Sequence, residues 1–390
     1  MPGNGKPQPG SYKKHSISLL RLSTNRDGVR CGKIVRLMNA RPENPSAERS
    51  PPPQLIQSLT GGFNAVANNI YLILLPAALD LLLWFGPHLR MKTLIEPVVL
   101  DFLKFIRQTA PLEMRPMWDG MENLWQAFLN QFNLVSMLST FPIGVPALMV
   151  SQSPLQTPMG AAPVIELTSV AGIALIWLGL CLAGLGLGTF YFAWVVQGCA
   201  RALTGIDCGE NNPTRGFGGK IPPLRPDILA WQGMQILAIV IMLVVLVMVI
   251  VVPSIFLASF LALISPFLAQ AALIFIMFSA VWFLVPLVFS PHGIFLCGLS
   301  VINSMLSSAR VVRYSLPGTG TFLLTAIILN QGLGVLWRVP PEDSWLTLVG
   351  IFGHAFIATG LLAASFIYYR GGLVYVQSLR NLSLNRRGLQ

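Results

Sequence analysis

The sequence predicts an all-α integral membrane protein with about six transmembrane helices, and its composition carries that prediction. Charged residues make up 11% of the 390 positions, whereas soluble domains contain roughly 25%. Apolar residues make up 54% of the chain, and the mean hydropathy is +0.65. So few charges cannot cover the surface of a water-soluble protein of this length, which excludes a soluble enzyme. The alternating ten-residue strands of a transmembrane β-barrel are absent from the sequence.

Stretches without Asp, Glu, Lys or Arg locate the spans, because a helix needs about 20 apolar residues to cross a bilayer core. The longest such stretch covers residues 228–309, which accommodates two spans and a flanking helix. Its central linker, residues 253–265, is itself apolar, so we expect this hairpin to turn within the membrane interface. The six predicted spans are residues 64–86, 168–196, 229–254, 265–290, 319–338 and 345–369.

The distribution of Lys and Arg predicts the orientation, since cytoplasmic loops are enriched in both. With six spans, one side carries 20 of them and the other carries 6. We therefore expect a plasma-membrane protein with both termini in the cytoplasm. A seventh span at residues 134–150 would leave 11 inside against 15 outside, and Pro142 and Pro146 interrupt that segment. We interpret it as interfacial or re-entrant.

Residues 87–167 form the largest predicted insertion outside the spans, and it contains two amphipathic helices. The first is opened by Pro97, and its apolar residues share one face: Val98, Phe102, Phe105 and Ile106. The second covers about residues 118–133 and repeats apolar residues at helical spacing: Met121, Leu124, Trp125, Phe128 and Phe132. Helices of this kind lie flat on a membrane or pack on the ends of spans. A cap that binds a partner or captures a substrate is the alternative.

The N-terminal residues 1–63 are predicted to be a basic, proline-containing, disordered cytoplasmic tail. The first 37 residues carry eight Lys and Arg, which would favour an anionic membrane surface. A transit peptide, or a translation start at Met38, is the alternative for this stretch.

Residues 294–314 are predicted to form an interfacial helix on the cytoplasmic side. Its apolar stripe consists of Phe295, Leu299, Ile302, Leu306 and Ala309. The opposite face carries Ser300, Asn303, Ser304, Ser307 and Ser308. Arg310 and Arg313 close the helix, and we expect them to contact anionic lipid headgroups, worth about 1 kcal/mol each near the surface.

Four polar side chains within the spans form the candidate functional site: Asp80, Asn330, Gln331 and His354. An ionisable residue in a span indicates a function by default. At 1.5 Å per residue, all four fall at similar depth in the outer halves of three spans. A pair of Asp80 and His354 would relay protons or bind a cation. The alternatives are an interhelical hydrogen bond and an Asp80 wetted by the membrane interface.

The second span contains the glycine motif AGLGLG, which predicts close helix packing. Gly184 and Gly188 have the spacing of small residues that let two transmembrane helices approach each other. A dinucleotide-binding fingerprint would need a preceding strand and does not occur at membrane depth.

Sequence motifs of known catalytic sites are absent: the chain has no HExxH, GxSxG, Walker or kinase pattern. We expect no enzyme activity, cofactor, metal or nucleic-acid partner. The expected role is a scaffold or accessory subunit that acts with a membrane-protein partner. The alternative is a secondary transporter, or a transporter subunit, that uses the intramembrane polar cluster. An enzyme acting on lipid would need a nucleophile or metal set that the sequence lacks.

The second half of the chain resembles known membrane proteins. A span ends in Pro291-His292, an interfacial helix ends in residues 309–313 (ARVVR), and two spans follow. In this layout, residues 230–380 resemble uncharacterised bacterial polytopic membrane proteins and are similar to the membrane domain attached to some glycerophosphodiester phosphodiesterases. The catalytic domain of those enzymes is absent, so the resemblance implies a membrane location and no catalytic residue.

Overall fold

The protein is described by a computed structural model at residues 51–109, 115–139, 143–203 and 221–387. The helices there are α1 (Leu55–Asn68), α2 (Leu74–Phe85), α3 (Lys92–Thr109), α4 (Arg115–Gln131), α5 (Met149–Gln152), α6 (Val170–Gly198), α7 (Pro226–Ile264), α8 (Pro266–Leu284), α9 (Ser290–Cys297), α10 (Val301–Tyr314), α11 (Leu316–Trp337) and α12 (Thr347–Arg387). Short 3-10 helices occupy Ile70–Ile73, Leu134–Leu138 and Val285–Leu287. Five helical stretches, or six if α1 and α2 count as one bent span, are long and apolar enough to cross a membrane. The predicted all-α, polytopic fold is confirmed.

The predicted first span, residues 64–86, is not one helix. It contains the end of α1 and all of α2, and the axes of these helices differ by 95°. Asn69 ends α1, because its side-chain amide donates to the Ala65 carbonyl at 2.9 Å and to the Gly198 carbonyl at 3.2 Å. Such bonds compete with the helical backbone pattern, and an apolar-run criterion does not detect them.

Helix α1 also shortens the predicted disordered tail, residues 1–63. Residues 55–63 are helical, and α1 packs along α12, with the Phe63 and Phe356 ring centroids 5.9 Å apart. Val66 of α1 is fully buried, and burial of such apolar side chains stabilises the helix. Residues 1–50, including the alternative start at Met38, lie outside the described residues.

Helix α7 is longer than the predicted span 229–254, whereas α8 ends at Leu284 and is shorter than the predicted span 265–290. Helix α7 continues through Pro253, so the expected linker is helical as far as Ile264, and Ser265 alone separates α7 from α8. A helix that stops in an apolar environment leaves backbone groups unsatisfied, whereas a proline inside it removes one hydrogen bond. This difference explains why the helix continues.

The predicted interfacial helix 294–314 consists of two helices, α9 and α10. Helix α9 ends at Gly298, whose φ of 62° lies in the left-handed region. Glycine adopts this conformation without steric cost, so the chain turns here.

The side of α10 that packs on the protein is its serine side. Ile302 and Leu306 of the apolar stripe are exposed, whereas three serines of the opposite face are buried: Ser304, Ser307 and Ser308. When lipid is the solvent, apolar side chains face outward and hydroxyl groups turn inward to find hydrogen-bond partners.

The remaining predicted spans correspond to single helices. Helix α6 covers the predicted span 168–196, and α11 covers 319–338, each with ends shifted by three residues or fewer. Helix α12 starts near the predicted 345–369 but continues to Arg387.

The insertion 87–167 begins and ends at paired strands. Strand β1 (His88–Arg90) pairs in parallel with β4 (Val164–Glu166), and β2 (Gln156–Thr157) pairs antiparallel with β3 (Gly160–Ala161). The first pairing holds the end of α2 near the start of α6.

Within the insertion, α3 and α4 pack on each other. Arg107 forms an ion pair with Asp119 at 2.8 Å, and Lys92 donates to Asn130 at 2.8 Å. Pro97 lies inside α3 rather than opening it, because a proline in the second turn removes only one backbone hydrogen bond. Several apolar side chains of the pair are exposed: Val98, Phe102, Phe105, Leu124 and Phe128. An exposed apolar face of this kind suits a membrane surface.

Candidate functional site

A segment of short, interrupted helices packs against the middle of α6. This re-entrant segment, residues 134–139 and 143–152, contains a 3-10 helix, a stretch without regular secondary structure and the short helix α5. Gly184 is the fifteenth of 29 residues in α6, roughly 21 Å along the helix. Because α6 is long and apolar enough to span a bilayer, a segment packed on its middle has the position expected of a re-entrant segment.

Two glycines of the AGLGLG motif allow this approach. A Cβ atom built on Gly184 would lie 2.7 Å from the Leu138 carbonyl oxygen, and one on Gly188 would overlap the Ile143 carbonyl. A Cβ on Gly186 would meet nothing within 4 Å. The predicted close packing thus involves the backbone of a short 3-10 helix and of the irregular stretch that follows it, rather than a second transmembrane helix.

Asp80 holds the re-entrant segment in place. Its side chain is fully buried, and Oδ1 accepts a hydrogen bond from the Met149 backbone N–H at 2.8 Å. Met149 is the first residue of α5, whose leading N–H groups have no partner within the helix. An unsatisfied backbone donor in an apolar environment is costly, so the carboxylate has a structural use at this position.

The four predicted site residues do not form one cluster. Among the described residues, Asp80 and His354 share no hydrogen bond or ion pair, and the charged neighbour of His354 is Arg338. Asn330 and Gln331 line a cavity to which neither Asp80 nor His354 contributes. The expected pairing of Asp80 with His354 is therefore not present, because α2 directs Asp80 towards α5.

The cavity lies between α6, α11, α12 and the re-entrant segment, and its volume is about 340 Å³. Its walls are mostly apolar and include Pro146, Phe192, Leu323, Ile327 and Leu361. Three polar side chains reach it: Tyr191, Asn330 and Gln331. The volume falls in the range of small-molecule sites, and sequence reasoning found the two amides but not the walls.

Sequence reasoning missed a hydroxyl network between α10 and its neighbours. Ser307 Oγ and Tyr369 Oη lie 2.8 Å apart. Ser308 Oγ donates to the Pro286 carbonyl at 2.6 Å and accepts from the Phe289 N–H at 3.1 Å. The helical spacing of these serines is the one feature of the sequence that could have predicted the network, but the same spacing also fits a stripe of serines that faces water.

His292 of α9 and Ser365 of α12 form a second polar contact between neighbouring helices. His292 Nε2 lies 2.7 Å from Ser365 Oγ, and that hydroxyl donates to the Leu362 carbonyl at 2.7 Å. When the serine proton is directed to this carbonyl, Nε2–H is the donor to Oγ. This hydrogen bond runs opposite to the serine-to-histidine hydrogen bond that activates a nucleophilic serine, so the pair fits an interhelical contact.

His88, beside the insertion, is expected to make stability fall in acid. Burial lowers the pKa of His88 below its ordinary 6.5, partly opposed by the Leu83 carbonyl and reinforced by the Arg90 charge. The unfolded chain therefore binds this proton more readily than the folded one, so the contribution of His88 to stability is constant above about pH 6.5 and is lost progressively below it. Thermal unfolding in detergent between pH 7.5 and 5.5 measures this decline.

The matched variant for this prediction is His88→Gln, which keeps a donor for the Leu83 carbonyl and does not titrate. We expect a smaller decline between pH 6.5 and 5.5 than in the wild type. An identical decline in both proteins would assign the effect to other groups.

Among the described residues, no three His, Cys, Asp or Glu side chains lie close enough to hold a metal ion. Comparisons of the chain with protein-family models, with curated proteins and with solved structures find no match, so the resemblance of residues 230–380 stays a prediction.

Proposed function

We propose that the chain is a non-enzymatic membrane protein that acts as a scaffold or accessory subunit for a second membrane protein. The observation that carries this proposal is the α7–α8 hairpin. Between residues 241 and 284, only Ala258 and Ala269 are buried. This part of the hairpin therefore contributes little to the packing of its own chain and presents nearly its whole surface to the membrane.

One polar side chain on this surface favours a protein partner over lipid alone. Gln270 of α8 is exposed, and it makes no hydrogen bond to any described residue. Lipid chains offer no hydrogen-bond partner, whereas an amide in a membrane associates with polar groups of another helix. The proposed partner is therefore a transmembrane helix of a different membrane protein, seated on the Gln270 face of α8.

A photo-crosslinking amino acid at Ile274, one turn from Gln270, tests this proposal in host membranes. We expect one discrete adduct to a single membrane protein, which also co-purifies at fixed stoichiometry. The Gln270→Leu variant should lose most of this adduct, and Ser279→Ala, a matched change on the same helix, should keep it. The same crosslinker at Leu175 of α6, which is 71% exposed, should label lipid only.

Three outcomes would contradict the proposal. These are lipid adducts alone at Ile274, the same protein adducts at Leu175, and a self-adduct of the chain. The last outcome would indicate a homo-oligomer rather than an accessory subunit.

The proposed location is the plasma membrane, with both termini in the cytoplasm and no nucleic-acid partner or cofactor. The Lys and Arg distribution supports this orientation. Arg310 and Arg313 are exposed at the end of α10, as contacts to anionic headgroups require. Cysteine labelling at a residue of the loop 343–346 and at the C-terminus tests the orientation, because the proposal places the loop outside and the C-terminus inside. Labelling of both from the same side would show that α12 does not cross the membrane.

The re-entrant segment favours a second candidate function, secondary transport. Non-helical backbone at membrane depth is found where it is buried in protein or lines a cavity, and discontinuous helices form the binding sites of many transporters. Gly144 and Pro146 of the segment line the cavity described above. Transport by an Asp80-dependent mechanism predicts proton or cation flux in liposomes that Asp80→Asn abolishes.

A further inference from the structure

We propose that the cavity between α6, α11, α12 and the re-entrant segment binds a neutral glycerolipid of the diacylglycerol class. Asn330 and Gln331 would hydrogen-bond its hydroxyl and ester oxygens, and the apolar walls would hold part of an acyl chain. This binding site is independent of the proposed accessory role, which rests on the α7–α8 hairpin.

The polar side chains that remain available in the cavity are the two amides. Tyr191 Oη lies 2.8 Å from Thr359 Oγ1, which donates to the Ala355 carbonyl at 2.6 Å. The tyrosine hydroxyl is therefore already paired. Asn330 and Gln331 make no hydrogen bond to any described residue, and each amide offers two N–H donors and one carbonyl acceptor.

Unpaired amides at this depth need a partner. Asn330 is the fifteenth of 22 residues in α11, roughly 10 Å from the nearer end of that helix. A bilayer core offers little water there, and a polar group without a hydrogen bond is costly. A ligand that carries both a hydroxyl donor and ester acceptors satisfies the two amides together.

The absence of charged side chains from the cavity walls favours a neutral ligand. No Lys, Arg, His, Asp or Glu lines the cavity. A phosphate drawn to the depth of Asn330 would lose its hydration without gaining a counter-ion, which is strongly unfavourable. A diacylglycerol meets no such penalty, because its polar groups are uncharged.

The ligand can enter from the membrane. Gln331 is exposed, and Ile327 lines the cavity while remaining 58% exposed. The opening therefore faces the side of α11 that would contact lipid, and a ligand arriving within the bilayer needs no passage through water.

A photoactivatable diacylglycerol, carrying a diazirine in one acyl chain, tests this site in phosphatidylcholine nanodiscs that contain the full-length protein. We expect labelled peptides from residues 323–331 and 358–362, and competition by unlabelled dioleoylglycerol. Asn330→Leu and Gln331→Leu should each lower labelling about 5-fold, the value for one hydrogen bond. Thr325→Val, on the same helix but outside the cavity lining, should label like the wild type.

A filled-cavity variant keeps the test decisive if the amide variants fold poorly. Ala326→Phe occupies the cavity while leaving both amides in place, and it should also lose the label. Equal labelling of wild type and Ala326→Phe would overturn the proposal. So would a wild-type protein that labels equally with a photoactivatable phosphatidylcholine, since the walls would then not select against a charged headgroup.

Discussion

Replacing Gly188 by alanine is expected to lower the free energy of unfolding by about 1–3 kcal/mol, the usual effect of overpacking a close contact. The added Cβ atom would overlap the Ile143 carbonyl oxygen of the re-entrant segment. Backbone cannot rotate away as a side chain can, so the segment or α6 must shift. The midpoint of thermal unfolding in detergent, followed by size-exclusion chromatography, measures the effect.

The same motif supplies the control. Gly186→Ala introduces the same methyl group two residues away, where it would meet nothing within 4 Å. Because alanine is the better helix former by about 1 kcal/mol, this variant should be as stable as the wild type or slightly more stable. If both variants lost equal stability, the contact between α6 and the re-entrant segment would not be the cause.

Replacing Asp80 by alanine is expected to destabilise the protein by about 1–3 kcal/mol, the cost of leaving a buried donor unsatisfied. The Met149 N–H donates a hydrogen bond to Asp80 Oδ1 at 2.8 Å. In the alanine variant this N–H would have no replacement acceptor and little access to water. Asp80→Asn keeps an acceptor oxygen at this position, so it should retain most of the stability. Loss of the contact should also increase protease cleavage within residues 143–152.

Asp101→Ala controls for the loss of a negative charge, because Asp101 is exposed and forms only a surface ion pair with Lys104. The Asp80→Asn variant also separates the two candidate functions. If it stays folded but loses cation or proton flux in liposomes, the carboxylate acts in transport. If Asp80→Ala proves as stable as wild type, its hydrogen bond to Met149 contributes nothing to the fold.

Sequence reasoning was most successful where one helix has charged or polar residues at both ends. Helices α6 and α11 are of this kind, because an apolar run in a bilayer has a single favourable conformation. It failed at Asn69, where a side chain bonds a carbonyl 129 residues away. It failed again at Pro253, since the expectation that a proline ends a helix holds in water and is weaker in lipid.

The sequence predicts how deep each residue of the candidate site lies in the membrane, but it does not predict which of these residues contact one another. Spacing along each helix places Asn330, Gln331 and Asp80 well inside the apolar runs. Which of them meet depends on the rotation of each helix and on its neighbours, and a hydropathy pattern carries neither. The same limit applies to α10: its two faces are visible in the sequence, but which face packs on the protein depends on whether water or lipid surrounds the helix.

The hairpin turn at Ser265 has a consequence for how the protein enters the membrane during synthesis. The residues around the turn are strongly exposed and apolar, with Leu263 at 85% and Phe267 at 76%. No Asp, Glu, Lys or Arg occurs from residue 228 to 309. Insertion of α7 and α8 therefore requires no charged loop to be translocated, so the two helices can enter the bilayer together as a preformed pair, from the side on which they are made.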